Sequence, residues 1–273
     1  MVKKVALLTL HGMGNKKEDY HEELTEGLSD SMGASAWSEV HVESIFYSDV
    51  FQNAQNEFFK RVERKVGGKR LRRFLLYGFA DAGGLEHSRH LKDSAYTKVQ
   101  ERIFNALGTA YAAMASHSAP IVIVAQSLGC QVISSYIWDA QHQGRKPPGV
   151  WRLKHGTLSA PELKFRKCAT LRLLVTTGCN IPIFVGGLPP DEIKPIKKPN
   201  KKFIWENYYD EDDALGWPLQ DLNGTYNALV RDYQINAGGI MTSWNAFSHG
   251  QYWGDRDVQD PLAHHLLSFL GHA

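Results

Sequence analysis

Short apolar runs alternate along this chain with longer segments in which apolar residues recur every three or four positions. The runs have the length of β-strands and are almost continuously apolar, which indicates strands that are buried on both faces. The longer segments have the spacing of amphipathic helices. This alternation predicts an α/β fold, a mainly parallel sheet flanked by helices. The six predicted strands are residues 5–10, 40–47, 121–125, 171–177, 203–209 and 231–236.

Three helices are predicted in the first half of the chain, the first two of them from a clear apolar spacing. One follows the first strand, one spans residues 99–114, and one begins near Leu128, directly after the third strand. Residues four positions apart lie on the same face of a helix, so such a repeat gives the side that packs on the sheet. In the first helix this face consists of Tyr20, Leu24, Leu28 and Met32.

The last helix is predicted from residues that favour helix ends. Asp260 can cap a helix, and Pro261 suits a first helical position. Gly271 stands where a helix that ends at Leu270 would stop. These signals predict a closing helix from Pro261 to Leu270.

Two segments do not fit the alternation of strands and helices: residues 50–92 and residues 178–202. We expect a single domain over residues 1–273 in which both segments are inserted caps. The first is predicted to be a basic helical insertion and the second a lid loop.

The first inserted segment is strongly basic between residues 60 and 73. This stretch has eight basic residues and one acidic residue, Glu63, in a chain whose net charge is only +2. A solvated helix face is the ordinary explanation of such a run. Aromatic and aliphatic residues interleave with the charges across residues 58–75, so peripheral contact with an anionic membrane is the alternative. The basic residues are Lys60, Arg61, Arg64, Lys65, Lys69, Arg70, Arg72 and Arg73.

The composition is that of an ordered globular protein. Hydrophobic residues make up 43% of the 273 residues and charged residues 22%, which excludes disorder for most of the chain. Thirty-one basic residues against 29 acidic residues give no overall field of the kind that a nucleic-acid-binding protein has. We therefore expect no nucleic-acid partner. The sequence carries no signal for an oligomeric state.

The three cysteines, Cys130, Cys168 and Cys179, lack the paired spacing of a zinc or redox site and are predicted to be reduced thiols. The longest apolar runs, such as residues 121–125, are far shorter than the roughly 20 residues that span a bilayer. The apolar run at residues 1–10 enters a glycine-rich turn instead of a cleavage site for a signal peptide. These observations predict a cytoplasmic protein without a membrane span.

The clearest chemical motif lies at residues 125–129, where Ala-Gln-Ser-Leu-Gly follows an apolar strand and opens a helix. Strand, turn and helix in this order are the context of a nucleophile elbow. Small residues two positions before and after Ser127 let strand and helix approach closely, while the turn projects the hydroxyl group. Ala125 stands at the first of these positions, where glycine is usual. Ser127 is therefore the candidate nucleophile.

A glycine-rich loop follows the first strand and can direct backbone N–H groups at a developing oxyanion. The loop consists of His11, Gly12, Met13 and Gly14. Because strand ends at one edge of a parallel sheet converge, we expect it beside Ser127. The predicted oxyanion donors are the N–H groups of Met13 and Leu128, supported by His11, Gly12 and Gly14. An ordinary strand-to-helix turn is the alternative.

With these two motifs the sequence resembles the α/β-hydrolase superfamily, in particular lipase- and esterase-type members whose first strand is the oxyanion strand. The resemblance covers most of the chain. It implies the order serine, acid, histidine, with the acid after the strand at residues 203–209 and the histidine after the last strand. Asp213 is the predicted acid, Asp210 the alternative, and His249 the predicted histidine. A solvated acidic turn or a cation site is another interpretation of the adjacent carboxylates at 210–213.

The resemblance implies a serine hydrolase that cleaves a carboxylic ester, of a small molecule or a lipid, through an acyl-enzyme. It implies neither a cofactor nor a metal ion. Two alternatives use the same fold: an acyltransferase with the same three residues, and a catalytically inactive module for binding or membrane recruitment.

Overall fold

The computed structural model describes residues 2–13, 17–89, 91, 93–156, 158–237 and 248–272. In this part of the chain six strands form one parallel sheet in the order β2-β1-β3-β4-β5-β6. The predicted parallel α/β architecture is therefore confirmed. The strands are β1 Val5–Leu10, β2 Val40–Ile45, β3 Ile121–Gln126, β4 Leu171–Thr177, β5 Ile204–Tyr209 and β6 Val230–Gln234.

Helices connect the strands and cover both faces of the sheet. The helices are α1 Glu22–Met32, α2 Ala34–Trp37, α3 Asp49–Val62, α4 Lys69–Ser88, α5 Ala95–Ala113, α6 Leu128–Gln141, α7 Ala160–Arg166, α8 Ile181–Val185, α9 Gly224–Asn227 and α10 Arg256–Leu270. Short 3₁₀ turns lie at Gly149–Arg152, Gln220–Leu222, Ser248–Gly250 and Tyr252–Gly254. Within the described residues, no helix has the length and apolarity that crossing a bilayer requires.

The core lies on both sides of the sheet, and every residue of the adjacent interior strands β1 and β3 is buried. Successive side chains of a strand point to opposite faces. Accordingly, Leu8 packs on the side of α5 and α6, whereas Leu7 packs on the side of α1 and α10. Burial of one such leucine contributes about 1.5–3 kcal/mol. This double-sided burial is why β1 and β3 are almost continuously apolar in sequence.

Strand β2 ends at Ile45, two residues before the predicted end at Tyr47. The backbone N–H of Tyr47 donates to the imidazole Nε2 of His11 at 3.1 Å, and its hydroxyl donates to the carbonyl oxygen of His11. Tyr47 is thus bonded to the loop after β1 and is no longer part of the strand ladder.

The prediction that the last helix begins at Pro261 is wrong. Helix α10 begins at Arg256, and the side chain of Asp255 caps it by accepting from the N–H of Asp257 at 2.8 Å. Pro261 lies inside the helix, where it cannot donate the hydrogen bond to residue 257 that another residue would make. The predicted end is correct: the helix stops at Leu270, and Gly271 adopts the left-handed conformation with φ 81°.

The two inserted segments contain regular structure. Helices α3 and α4 lie within residues 50–92, and the short helix α8 lies within residues 178–202. Their predicted roles as cap and lid stay predictions. The three cysteines are buried free thiols.

Candidate active site

Ser127 lies in the sharp turn between β3 and α6. Its backbone has φ 53° and ψ −122°, which is a strained conformation for a residue with a side chain. The turn is held from the neighbouring strand, because the N–H of Ser127 donates to the carbonyl oxygen of Thr177 at 3.0 Å. The serine is 1% exposed, and its hydroxyl oxygen has no hydrogen-bond partner within the described residues.

Two glycines let the loop after β1 approach this turn. A Cβ atom on Gly12 would lie 2.8 Å from the Cβ of Ser127, and a Cβ on Gly129 would lie 2.7 Å from the carbonyl oxygen of His11. Real Cβ atoms do not come so close to such neighbours, so both positions need glycine. The glycine two positions after Ser127 therefore has a direct steric cause.

His11 fixes the loop that follows β1. Its Nε2 accepts the N–H of Tyr47, so the ring proton is on Nδ1, which lies 2.6 Å from the carbonyl oxygen of Gly12. The ring also stacks on Tyr47 with a centroid separation of 4.0 Å. His11 is 1% exposed and thus holds the loop from inside the protein.

The two predicted oxyanion donors are positioned by this loop and by α6. Met13 belongs to the loop that His11 holds. Leu128 is the first residue of α6, so its N–H has no acceptor within the helix. Gly14 lies outside the described residues. The donor role of Met13 and Leu128 stays a prediction.

His249 contacts the carboxylate of Asp213. Its Nδ1 lies 2.8 Å from Oδ2 of Asp213, and both residues are buried. The Nε2 of His249 is buried and has no hydrogen-bond partner within the described part of the chain. A carboxylate that accepts from Nδ1 leaves Nε2 unprotonated in the neutral ring. The arrangement therefore provides a buried base.

Three contacts bring this pair to the serine turn. The side-chain amide of Gln126, the residue before the serine, donates to the carbonyl oxygen of His249 at 2.6 Å. A Cβ atom on Gly178 would lie 3.1 Å both from Oδ2 of Asp213 and from Cε1 of His249. Gly178 follows Thr177, which accepts the N–H of Ser127. The histidine loop, the acid and the serine turn thus meet at the carboxyl end of β4.

Hydrogen bonds keep Asp213 ionised. Oδ2 accepts from His249 and, at 2.9 Å, from the hydroxyl of Tyr252, and Oδ1 accepts the N–H of Leu215 at 3.0 Å. Burial alone would raise the pKa of Asp213, but the hydrogen bond and charge of His249, together with the other two donors, hold this pKa below its ordinary value. The carboxylate can therefore stabilise a positive imidazole.

Asp210, the alternative acid, has a different set of partners. Its Oδ1 accepts the N–H of Asp212 and its Oδ2 accepts the N–H of Ala237, each at 2.8 Å. Both oxygens therefore fasten the backbone of the acidic turn and of the segment after β6. The described residues contain no group of three or more histidine, cysteine or carboxylate side chains that could hold a metal ion.

Sequence reasoning missed Gln126 and Tyr252. Gln126 occupies a variable position of the elbow motif, and Tyr252 is three residues beyond His249. Their partners lie far away along the chain, 123 residues for Gln126 and 39 for the contact of Tyr252 with Asp213. No local spacing signals contacts of this kind.

No protein-family model and no curated protein matches the sequence. Similar solved structures include a thioesterase and a lipase/esterase. The RedJ thioesterase from the prodiginine biosynthetic pathway of Streptomyces coelicolor has 11% identity and a TM-score of 0.43, with 98% of this chain and 86% of that chain covered. A lipase/esterase from Lactobacillus plantarum has 10% identity and a TM-score of 0.47, with 100% and 87% covered.

The fold of this chain is identified from its own sheet and serine turn. The parallel sheet with helices on both faces, together with a strained serine between a central strand and the next helix, is an α/β-hydrolase fold. The fold expected from the resemblance is therefore confirmed.

Proposed function

We propose that the protein is a serine hydrolase that cleaves a carboxylic ester with Ser127, His249 and Asp213. The observation that carries the proposal is the buried His249–Asp213 pair. Nε2 of His249 has no hydrogen-bond partner within the described residues, and the backbone of His249 is bonded to Gln126, the residue before the strained Ser127. A buried histidine–carboxylate pair beside the strained turn of Ser127 fits general-base catalysis better than a structural role.

The reaction follows from these groups. Ser127 Oγ attacks the ester carbonyl while Nε2 of His249 takes the hydroxyl proton, and the oxyanion is stabilised by the N–H groups of Met13 and Leu128. The C–O bond to the alcohol breaks and His249 protonates the leaving oxygen. Water then attacks the acyl-serine while His249 takes a proton from it, the bond between Ser127 Oγ and the acyl carbon breaks to release the acid, and His249 returns the proton to Oγ. Asp213 holds the tautomer that each step needs.

The first experiment measures hydrolysis of p-nitrophenyl esters from acetate to palmitate, and labelling by a fluorophosphonate probe. We expect turnover of at least one ester and attachment of one probe molecule to Ser127, located by mass spectrometry. A folded protein that neither hydrolyses any ester nor reacts with the probe contradicts the proposal and favours a binding module. Transfer to added alcohol in preference to water would identify an acyltransferase.

We also propose that residues 58–75 contact an anionic membrane surface. Phe58 is 47% exposed beside a group of exposed cations, and within the described residues none of these cations pairs with a carboxylate. Each cation near an anionic membrane contributes on the order of 1 kcal/mol. The exposed cations are Lys60, Arg61, Arg64, Lys65, Lys69 and Arg72.

The membrane contact predicts salt-sensitive sedimentation with liposomes. We expect binding to phosphatidylserine vesicles at low salt, weaker binding at high salt because charges are screened over about 10 Å at 0.1 M, and none to phosphatidylcholine vesicles. Replacing Arg64 and Lys65 by glutamine should weaken binding. The control removes two exposed charges elsewhere, in the double variant Lys197→Gln and Lys198→Gln. This control should bind the vesicles as well as the wild type does. Equal binding to both vesicle types, or no binding at low salt, contradicts this contact.

A further inference from the structure

Tyr252 shares its hydrogen-bond acceptor with His249. The Tyr252 hydroxyl oxygen lies 2.9 Å from Oδ2 of Asp213, the same oxygen that lies 2.8 Å from Nδ1 of His249. Tyr252 is fully buried. One carboxylate oxygen therefore accepts two side-chain donors that come from the same loop, three residues apart.

The direction of the tyrosine proton is determined by a second bond. The backbone N–H of Asp210 donates to the Tyr252 hydroxyl oxygen at 3.0 Å. Because the hydroxyl oxygen already accepts a hydrogen bond from Asp210, the hydroxyl proton is directed to Asp213. Burial, and next the charge of Asp213, raise the pKa of Tyr252 well above its ordinary value, so the hydroxyl keeps this proton.

Two glycines fix the place of the ring. A Cβ atom on Gly178 would lie 2.8 Å from Cε2 of Tyr252, and one on Gly216 would lie 2.9 Å from its hydroxyl oxygen. The chain thus approaches the tyrosine more closely than a residue with a side chain would allow. The aromatic ring fills this space in either tyrosine or phenylalanine, so the hydroxyl can be removed without leaving a large cavity.

We propose that Tyr252 is a positioning residue that holds Oδ2 of Asp213 in line with Nδ1 of His249. The proposal rests on the proposed function and adds to it a fourth residue that contacts no substrate. Oδ1 of Asp213 accepts the N–H of Leu215 and Oδ2 accepts the hydroxyl of Tyr252, so the carboxylate has one orientation. That orientation places the imidazole proton on Nδ1 and leaves Nε2 free to act as base.

The kinetic test is Tyr252→Phe, which removes the hydroxyl only. A hydrogen bond to a charged group has an effect of about tenfold to a hundredfold, so we expect kcat to fall by about tenfold or more while KM changes less than about twofold. The matched control is Tyr208→Phe, because the Tyr208 hydroxyl also donates to a buried carboxylate, Oε2 of Glu206 at 3.0 Å, outside the proposed triad. This control should keep the wild-type kcat.

A double-mutant cycle tests whether the effect passes through Asp213. In an Asp213→Ala background, Tyr252→Phe should lower kcat no further, because the effects of substituting residues that act as a unit are not additive. An equal drop in both backgrounds, or an unchanged kcat in the Tyr252→Phe single variant, overturns the proposal.

A measurement without turnover separates this inference from the proposed function. Nitrogen-15 NMR of the neutral His249 ring reports which nitrogen has the proton. We expect the Nδ1–H tautomer in the wild type and the Tyr208→Phe protein, and a gain of the Nε2–H tautomer in Tyr252→Phe and, more strongly, in Asp213→Ala. The same tautomer in wild type and Tyr252→Phe contradicts the positioning role, even if no ester is ever hydrolysed.

Discussion

Ser127→Ala is expected to lower kcat for ester hydrolysis by roughly 10⁴ or more, as loss of the nucleophile does in other serine triads. The reason is chemical: without Oγ no acyl-enzyme forms, and His249 has no hydroxyl from which to take a proton. The fold should persist, because the replacement removes one buried oxygen that has no hydrogen-bond partner in the described chain. Turnover of the best p-nitrophenyl ester and the far-ultraviolet circular dichroism spectrum measure the two outcomes.

The control for this variant is Ser134→Ala, a serine further along α6 that is only half-buried. It should keep wild-type turnover and probe labelling. More than a tenth of the wild-type activity in a pure Ser127→Ala preparation would contradict the assignment of the nucleophile. Loss of the folded spectrum would call for Ser127→Gly, which suits the positive φ better.

Replacing the two candidate acids separately should give opposite results. In Asp213→Asn an amide replaces the carboxylate that accepts from Nδ1, so the imidazole loses the tautomer that leaves Nε2 free. A decrease in kcat of about 10³–10⁴ is expected, in line with the effect of the wrong tautomer in other triads. In Asp210→Asn kcat should stay within about tenfold of the wild type, because this side chain bonds backbone groups only.

The Asp210 variant should instead lose stability. The carboxylate of Asp210 accepts the backbone N–H groups of Asp212 and Ala237, and an asparagine amide can accept only one of them. The other N–H loses its acceptor, and a buried group left unsatisfied lowers the free energy of unfolding by about 1–3 kcal/mol. Thermal unfolding measures this as a lower melting temperature. An active Asp213→Asn protein together with an inactive, normally stable Asp210→Asn protein would reverse the assignment.

Much of the sheet is readable from the sequence because the central strands are buried on both faces. The predicted boundaries of β1 and β4 match the observed ones, since most residues of both strands are apolar and buried. The end of β2 is not readable in this way, since Tyr47 continues the apolar pattern but bonds His11. The start of α10 is concealed by Asp260 and Pro261, which resemble a cap and first residue although Asp255 is the cap.

The candidate site is readable only where a local motif marks it. Ser127 has a local signature because the close approach of the loop after β1 requires a glycine two positions after the serine. The choice of Asp213 over Asp210 depended on a resemblance, and their different bonding partners appear only in three dimensions. His11 is a further case: the glycine loop suggested a backbone role, whereas the buried imidazole itself connects two strand ends.

The winding of the sheet has a consequence for how this chain acquires activity during folding. Strand β1 pairs with β3, although β2 and helices α1–α5 lie between them along the chain. Contacts between such distant segments form slowly because long loops must close first. The proposed triad also needs the ends of β3 and β5 and the loop before α10 in place together. We therefore expect a refolding chain to regain much of its helical signal before the three residues of the proposed triad come together, so that ester hydrolysis would return only at the last stage of folding.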